Sequence, residues 1–566
     1  MLLHKSETII QEIKHILKKT ISKLPTIVNE TSNSLNDINV QVEKTKNLKF
    51  GDFSSNIMMV LGLSKDKVQL FAKIVADKLD KKFFKKVEVA GPGFLNLFLS
   101  DETINDYLQE ISKEKDEYGK FKQKKLFYNI EFVSANPTGL LHIGHARNAA
   151  IGDTLANVWQ TYGIDVNREY YVNDAGNQIE KLAMSVLIRY KQLLGMKDEL
   201  PEDSYHGSEI NDVAKAIVTD YKDKYKDVKC DQNKITDSNE NVNFFKNFSK
   251  KFLLNIIKDT LTEFGVHMDI WFFESNIYVK GLDKSIIKVL ANDIYQKDGA
   301  TWLKTTKFND DKDRVLIKSD GVYTYFLPDI AYHAIKLSRG YDKIYNIWGS
   351  DHASYADRMS IAIQMLGYKK EQLKVLIMQM VRLVKGGQEF KMSKRSGNSL
   401  TLQDLLQAIG KDTARWYLVS QSLDSHIEID VNKATSNSND NPIYYVQYAH
   451  ARINQLQNNG KFTKPRNFDL LKTDIEHELM ILLMYYKHAI ESIAINNEVQ
   501  KLPTYLLLLS KTFHSFYSNN KIIDNNNIEL SSQRYHLSLC VKQILANGLK
   551  LMKIKPLDKM KKKGNI

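Results

Sequence analysis

The chain has 566 residues, 43% hydrophobic and 26% charged, too long for one ordinary domain and suited to three or four globular ones. Its formal net charge of +13 fits a polyanionic partner (a nucleic acid, a nucleotide or an anionic surface), although lysine-rich composition also simply solvates a surface. The two cysteines, Cys230 and Cys540, stand far apart in no CxxC pair, which excludes a disulfide scaffold and a cysteine-based zinc site and suits a reducing compartment.

At the N-terminus, Ile9, Ile13, Ile16 and Leu17 recur at helical spacing with Glu7, Glu12 and lysines between them. A secretory core would be continuously apolar and a transit peptide poor in acids, so a helix of the folded protein is expected here. No apolar run reaches membrane-spanning length, so a cytoplasmic protein is expected, with no membrane partner. Residues 1–115 read as a small α/β module, with a helix over Val68–Leu79. In Val87–Ser100, VEVAGPGFLNLFLS reads as two short strands around a Gly-Pro-Gly turn. The lysine-rich stretch Ile111–Lys125 reads as a linker.

From 120 to 415 the texture is α/β. KLFYNIEFV is an apolar strand, SANPTG a turn, and the next helix carries Ile151, Leu155, Val158 and Tyr162 on one face before Gly163 stops it. DVNREYYVN, DKIYNIWG and KVLIMQMVRLV supply further strands. Alternation of strand and helix predicts a Rossmann-like, doubly wound parallel sheet. A largely helical, charged insertion interrupts it at about 180–300, with Lys229–Asn243 as a polar loop. From Trp416 to the end no strand pattern is evident, and Leu479, Leu482, Leu483 and Tyr486 suggest a helical bundle. The fold class expected is therefore multidomain α/β plus all-α.

No GxxxxGK[ST] occurs, so a P-loop is excluded. Instead PTGLLHIGH (Pro137–His145) lies between the first strand and helix of the α/β region. Gly139 and Gly144 permit close backbone approach, a helix N-terminus favours phosphate, and His142 and His145 lie one turn apart. Alone, two such histidines are more often capping or packing residues. Far along the chain, FKMSKRSGN (Phe390–Asn398) places Lys391, Lys394 and Arg395 beside the glycines of VKGGQE. Alone, this would be a solvated basic loop.

Together, HIGH at the first strand–helix turn and KMSKR after the last strands resemble the paired signature of class I aminoacyl-tRNA synthetases. The resemblance implies that His142, His145, Lys391 and Lys394 are catalytic. It also implies that Pro137, Thr138, Gly139, His142, Gly144, His145 and Lys394 bind ATP, with Mg2+ as cofactor and no protein-held metal. Adenylation suits such a pair, because the work is positioning plus neutralisation of a departing pyrophosphate.

The blocks EFVSANPTGLLHIGHARNAAIGD, REYYVNDAGNQI, DDKDRVLIKSDGVYTYFLPDIAYH, GSDHASYADR and NPIYYVQYAHARI are similar, in order, to those of arginyl-tRNA synthetases. GDFSSNIMMVLG and GPGFLNLFLS resemble that family's N-terminal tRNA-contacting domain, and KIKPLDKM its usual C-terminus; the basic tail beyond is unexplained. The implied partners are L-arginine, ATP and tRNA(Arg), the implied state a monomer, and activation would need bound tRNA. By resemblance, Glu131, Asn136, Tyr325 and Asp329 bind the amino acid. A guanidinium needs fixed carboxylate acceptors, which Glu131 and Asp329 can be. The bland readings are a partly exposed strand-end carboxylate for Glu131, a helix N-cap for Asp329 and packing for Tyr325.

The interval between Gln178 and Asp298 is too small and too charged for an editing domain. That favours a polar substrate, which a hydrogen-bonding site can select without editing. It does not by itself separate arginine from glutamate or glutamine. Residues 416–566 resemble the family's anticodon-binding domain, where Tyr444, Tyr448 and Ala451 share a helical face and Tyr448 or Arg452 could meet RNA. A synthetase for glutamate or glutamine, and a non-catalytic tRNA-binding relative, remain alternatives.

Overall fold

A computed structural model describes residues 7–390, 400–456 and 462–560. The chain forms two compact units, one of residues up to 122, 161–163 and from 437 on, the other of residues 123–160 and 164–436.

The first unit joins the N-terminal module to the C-terminal helices. Its four-stranded antiparallel sheet contains β1 (Val42–Lys44), β2 (Phe53–Ser55), β3 (Phe84–Ala90) and β4 (Phe94–Leu99) in the order β1-β2-β4-β3. The hairpin β3–β4 turns at the Gly-Pro-Gly segment as its sequence predicts, and Gly93 at φ +126° takes a backbone shape that other residues avoid. Ile9, Ile13, Leu17 and Ile21 of the helix Ile9–Ser22 are fully buried. The stretch read as a linker is partly structured: the helix Asp101–Glu114 runs into it, and Tyr118 is 1% exposed. Asn547, on the C-terminal helix Ile528–Leu551, holds that turn by donating to the Lys115 and Tyr118 carbonyls, both at 3.0 Å. Buried apolar side chains, not charge, decide where a segment docks, and Tyr118 outweighs the lysines around it.

The second unit carries a five-stranded, wholly parallel sheet in the order β12-β11-β5-β6-β7, from β5 (Phe127–Glu131), β6 (Asp165–Val172), β7 (Ile270–Phe273), β11 (Lys343–Gly349) and β12 (Leu373–Met378). Successive strands run outward from β5 first to one side and then to the other, so a crevice opens where β5 and β11 end. The signature helix Ile143–Thr161 is buried on nearly every side, unlike the one-faced helix that its sequence suggests. Gly152 lets it lie against the strand end, since a Cβ there would come within 2.4 Å of the Phe132 ring.

The insertion holds the helices Asn177–Leu193, Ser208–Tyr221 and Asn239–Glu263 around their own core. Beyond it, β8 (Ile294–Lys297), β9 (Ala300–Leu303) and β10 (Arg314–Ile317) form a small antiparallel sheet. KVLIMQMVRLV is two strands: β12 and β13 (Val381–Lys385) are parted at Gln379, whose amide bonds to the Leu423 carbonyl. A third small sheet joins β13 to β14 (Gln388–Glu389) and to β15 (Ile427–Asp430). Thus a strand follows Trp416 where none is evident in the sequence. A four-residue strand is too short to leave a clear period.

Gly152→Ala should lower the stability of this unit by about 1–3 kcal/mol, the cost of overpacking a filled contact. All five tryptophans (159, 271, 302, 348 and 416) lie in the second unit, so urea unfolding followed by tryptophan fluorescence reads it selectively. An unchanged midpoint would mean that the strand end yields freely to the helix.

Candidate active site

After Glu131 the chain must leave the sheet and enter the signature helix through a tight turn. Val133 (φ 69°) and Ser134 (φ 44°) both take the left-handed region, which is costly for a β-branched residue. The turn is braced from several directions. The Val133 amide donates to Asn148 Oδ1 at 3.0 Å, and Asn148 Nδ2 donates to the Ile347 carbonyl at 3.0 Å. Ser134 Oγ donates to Glu131 Oε1 at 3.0 Å, and Tyr170 Oη to the Ala135 carbonyl at 2.8 Å.

At the start of the helix the two signature histidines are stacked, with ring centroids 3.6 Å apart. His142 Nδ1 accepts from the Gly144 amide at 3.1 Å, and His145 Nδ1 accepts from the His142 amide at 3.2 Å. Each ring therefore carries its proton on Nε2, directed away from the backbone. Burial lowers both imidazole pKa values, that of His145 to about 3, so at neutral pH the pair offers two uncharged N–H donors. Gly144 serves this stack: a Cβ there would lie 2.8 Å from His142 Cε1. Gly139 faces outward in the preceding loop, where an added Cβ would sit 3.4 Å from Glu209 Oε1.

The segment holding His142 is also paired with chain that follows the lysine signature. The Ile143 amide donates to the Leu400 carbonyl at 2.9 Å and the Leu402 amide to the Leu141 carbonyl at 2.7 Å, with His142 and Thr401 opposite each other. Lys391 and Lys394 themselves lie outside the described residues. One turn into the helix, Arg147 is fully buried and donates to the carbonyls of Gln379 (2.6 Å), Ser422 (2.7 Å) and Ser425 (2.9 Å). It fixes the signature helix to the chain that enters β13 and to the chain that enters β15.

On the other side of Glu131 lies an acidic pocket. Asp329, on the helix Phe326–Ser338, accepts from Tyr355 Oη at 2.6 Å. Burial, and then the charges of Glu131 and Glu274, push its carboxyl up to about 7 against that hydrogen bond. Burial likewise raises Glu274, which accepts from Tyr278 Oη at 2.8 Å. Glu131 is only 7% exposed, and its Oε2 accepts from Lys336 Nζ at 2.9 Å. Three carboxylates thus converge on one electrostatically coupled region with a single buried lysine. Such a site favours a cationic ligand with planar, donor-rich geometry.

The structure brings Glu131 and Asp329 together beside the signature, and neither bland reading holds. Glu131 is buried, and Asp329 is the fourth residue of its helix rather than its cap. Asn136 lies in the loop between Glu131 and the histidines and donates to Gln178 Oε1 at 2.7 Å. Pro137 and Thr138 form the turn of that loop. The Tyr325 side chain is 80% exposed, so it neither packs nor joins the pocket. Glu274, Tyr355 and Lys336 were not singled out in the sequence. Glu274 could have been, since it directly follows β7 at the ligand-binding edge of the sheet. Lys336 carries no such signal, being one lysine on a helix.

Three family models match the chain in order: "Arginyl tRNA synthetase N terminal domain" over residues 8–99, "tRNA synthetases class I (R), catalytic domain" over 107–459, and "DALR anticodon binding domain" over 446–560. Among curated relatives, the arginine–tRNA ligase of Malacoplasma penetrans is 49% identical, covering 97% of this chain and 98% of that one. Those of Ureaplasma parvum (46% identical; 98% of this chain, 100% of that one) and Listeria monocytogenes (43%; 92% and 94%) follow. The Thermus thermophilus arginyl-tRNA synthetase structure shares the fold at TM-score 0.75 and 18% identity, covering 98% of this chain and 100% of that one.

The His145 ring should gain no proton between pH 6 and 8, roughly the range in which a free imidazole titrates. Nitrogen-15 NMR of labelled enzyme should show it as the Nε2–H tautomer across that range. Titration of the His145 ring near pH 6.5, about the value for a free imidazole, would contradict the stacked, enclosed geometry.

Proposed function

We propose that the crevice at the ends of β5 and β11 is the arginine-activation centre of this chain, which belongs to the arginyl-tRNA synthetase family of class I synthetases. The protein is an ATP-dependent arginine–tRNA ligase. It joins L-arginine to the AMP moiety of ATP, with pyrophosphate as leaving group, then passes the arginyl group to the 3′ end of tRNA(Arg), releasing AMP. One observation carries the site assignment: Asp329 feels the charges of Glu131 and Glu274, and Glu131 ends the strand that leads into the HIGH segment.

In this reading the guanidinium lies against Asp329 and Glu274, its N–H groups meeting carboxylate oxygens. The same three carboxylates would repel glutamate, and glutamine would leave their charge uncompensated. Asn136, on the loop between pocket and histidines, faces the amino acid's reacting end. The arginine carboxylate attacks the α-phosphate while His142 and His145 donate Nε2–H bonds to phosphate oxygens. Because both rings are neutral, they hold the nucleotide without retaining the product by charge. Pro137, Thr138, Gly139 and Gly144 shape the same nucleotide edge. Lys391 and Lys394 neutralise the departing pyrophosphate. Among the described residues no three His, Cys, Asp or Glu side chains gather as metal ligands. Mg2+ would ride with the ATP phosphates and help to neutralise their charge.

The three sequence segments then divide the work as N-terminal tRNA contact (1–115), catalysis (120–415) and anticodon binding (416–566). In the last, a cavity of about 480 Å³ is lined by Tyr445, Tyr448, Arg452, Lys511 and His514. The Arg452 guanidinium sits 4.6 Å from the Tyr448 ring centroid and 4.3 Å from that of Tyr517. Flat rings beside a cation suit an unstacked base and its phosphate. No helix among the described residues is long and apolar enough to cross a membrane. We assign the enzyme to the cytoplasm as a monomer.

Arginine binding requires ionised Asp329, and a carboxyl raised to about 7 in the free enzyme takes up a proton below that pH. The kcat/KM for arginine should therefore climb with pH up to about 7 and then level off. Asp329→Asn should abolish that limb and raise the KM for arginine by about two to three powers of ten, with the KM for ATP little changed. Arginine kinetics within a few-fold of wild type would place the pocket elsewhere.

Lys394→Ala should lower kcat by on the order of a hundredfold with little change in the KM for ATP, as expected for a contact made in the transition state. A raised KM alone would assign Lys394 to ground-state binding.

A further inference from the structure

Lys336 is fully buried, on the inner face of the helix that carries Asp329. Beyond Glu131 at 2.9 Å, its Nζ donates to Asn346 Oδ1 at 2.8 Å and lies 4.9 Å from the Tyr332 ring centroid. Asn346 faces Glu131 across the β5–β11 pairing. The hydrogen bonds around it have a fixed direction. With its oxygen facing Lys336, Asn346 turns Nδ2 to His333 Nε2 at 2.7 Å. His333 is left to donate from Nδ1 to the Asp329 carbonyl at 2.8 Å. Burial, and then the Lys336 charge, hold His333 neutral with its pKa near 3, which this chain of donors requires.

A lone lysine beneath a pocket built for a cation is costly unless it serves that pocket, because burying an ammonium costs several kcal/mol, in round terms, before any pairing. We propose that Lys336 is a positioning and specificity-setting residue: a resident cation that fixes Glu131 and reduces the charge of three carboxylates to what one guanidinium can match. The proposal rests on the reading of this pocket as the arginine site. Its logic is additive. Removing Lys336 makes the surroundings of Asp329 more negative by one charge, and removing the Glu131 charge makes them more positive by one. The other groups facing the pocket stay in place. They are Glu274, Asp174 and Tyr278 beside β7, Tyr171 on β6, Tyr355 and Arg358 on the helix Ala353–Met365, and Tyr332 and His333 on the lysine's own helix. Glu169 is closed off by Arg339 at 2.7 Å.

The test is the pH dependence of arginine kcat/KM for the full-length enzyme with tRNA, in four forms: wild type, Lys336→Met, Glu131→Gln and the double variant. Lys336→Met should move the acidic limb up by about one pH unit, roughly a fivefold loss at pH 7 and about tenfold well below it. Glu131→Gln should move it down, and the double variant should return it close to the wild-type position. A structural lysine would lower kcat or stability and leave the limb in place, and that result would overturn the proposal. If Lys336→Met does not fold, the downward shift in Glu131→Gln still decides, since an unmoved limb there means that the pair does not set the pocket's charge. Asp329→Asn separates the two failures. Loss of its limb with no shift in the other variants refutes only the role of Lys336, whereas an unchanged limb in Asp329→Asn refutes the pocket itself.

Discussion

Asn148 is the side chain on which the architecture of the second unit turns. Its carboxamide is 7% exposed and spans three elements: the signature helix that carries it, the left-handed turn at Val133 and the carbonyl of Ile347 in β11. Such a bond adds only about 1 kcal/mol net, but leaving either partner unpaired in this interior would cost about 1–3 kcal/mol. With the Ser134 and Tyr170 bonds beside it, Asn148 holds Val133 at φ 69°. The strain at the end of β5 is what turns Glu131 to one side of the crevice and His142 to the other within a dozen residues. A gentler exit would spread the acidic pocket and the neutral histidine pair too far apart for one substrate to touch both.

The two halves of the crevice follow opposite electrostatic designs. Around the histidines, burial and backbone N–H groups keep the imidazoles uncharged, so a polyphosphate would meet dipoles rather than fixed cations. Around Asp329, burial and like charges instead raise one carboxyl to about 7. Deeper in the unit, charges are fully paired instead. Arg415 donates to Asp153 Oδ2 at 2.7 Å, and Arg168 reaches Oδ1 of the same carboxylate at 3.3 Å. That cluster ties the helix Lys411–Val419 to the middle of the HIGH helix. Its value lies in fixing position more than in net stability.

In the first unit the docking of the N-terminal module onto the C-terminal helices is also polar at its edges. His477 Nε2 meets Asp52 Oδ1 at 2.5 Å, and Lys487 meets Glu110 at 2.6 Å. Between them lie the apolar contacts of Ile104, Leu108 and Ile111. Segments more than three hundred residues apart in sequence therefore behave as one body, although each has its own recognisable pattern.

What the sequence determined by itself was everything written in local periodicity or in a motif that specifies its own geometry. The hairpin around Gly-Pro-Gly, the parallel strands of the second unit and the helical C-terminal region are of this kind. So is HIGH at the first strand–helix turn, whereas Glu131 and Asp329 came forward only through the family resemblance. What it left undecided was set by pairing between distant segments. The one-faced reading of the signature helix failed because strand and helix bury it from several sides. The strand Ile427–Asp430 escaped notice because a short segment becomes a strand only when Val381–Lys385 lies beside it. Tyr325, placed in the pocket by resemblance, points into solvent, and Glu274 and Lys336, which the sequence did not single out, are buried. A charged side chain's role depends on which other charges the fold brings within a few ångströms. Sequence spacing fixes that along one helix, but only the tertiary structure fixes it across β5, β7, β11 and the Asp329 helix.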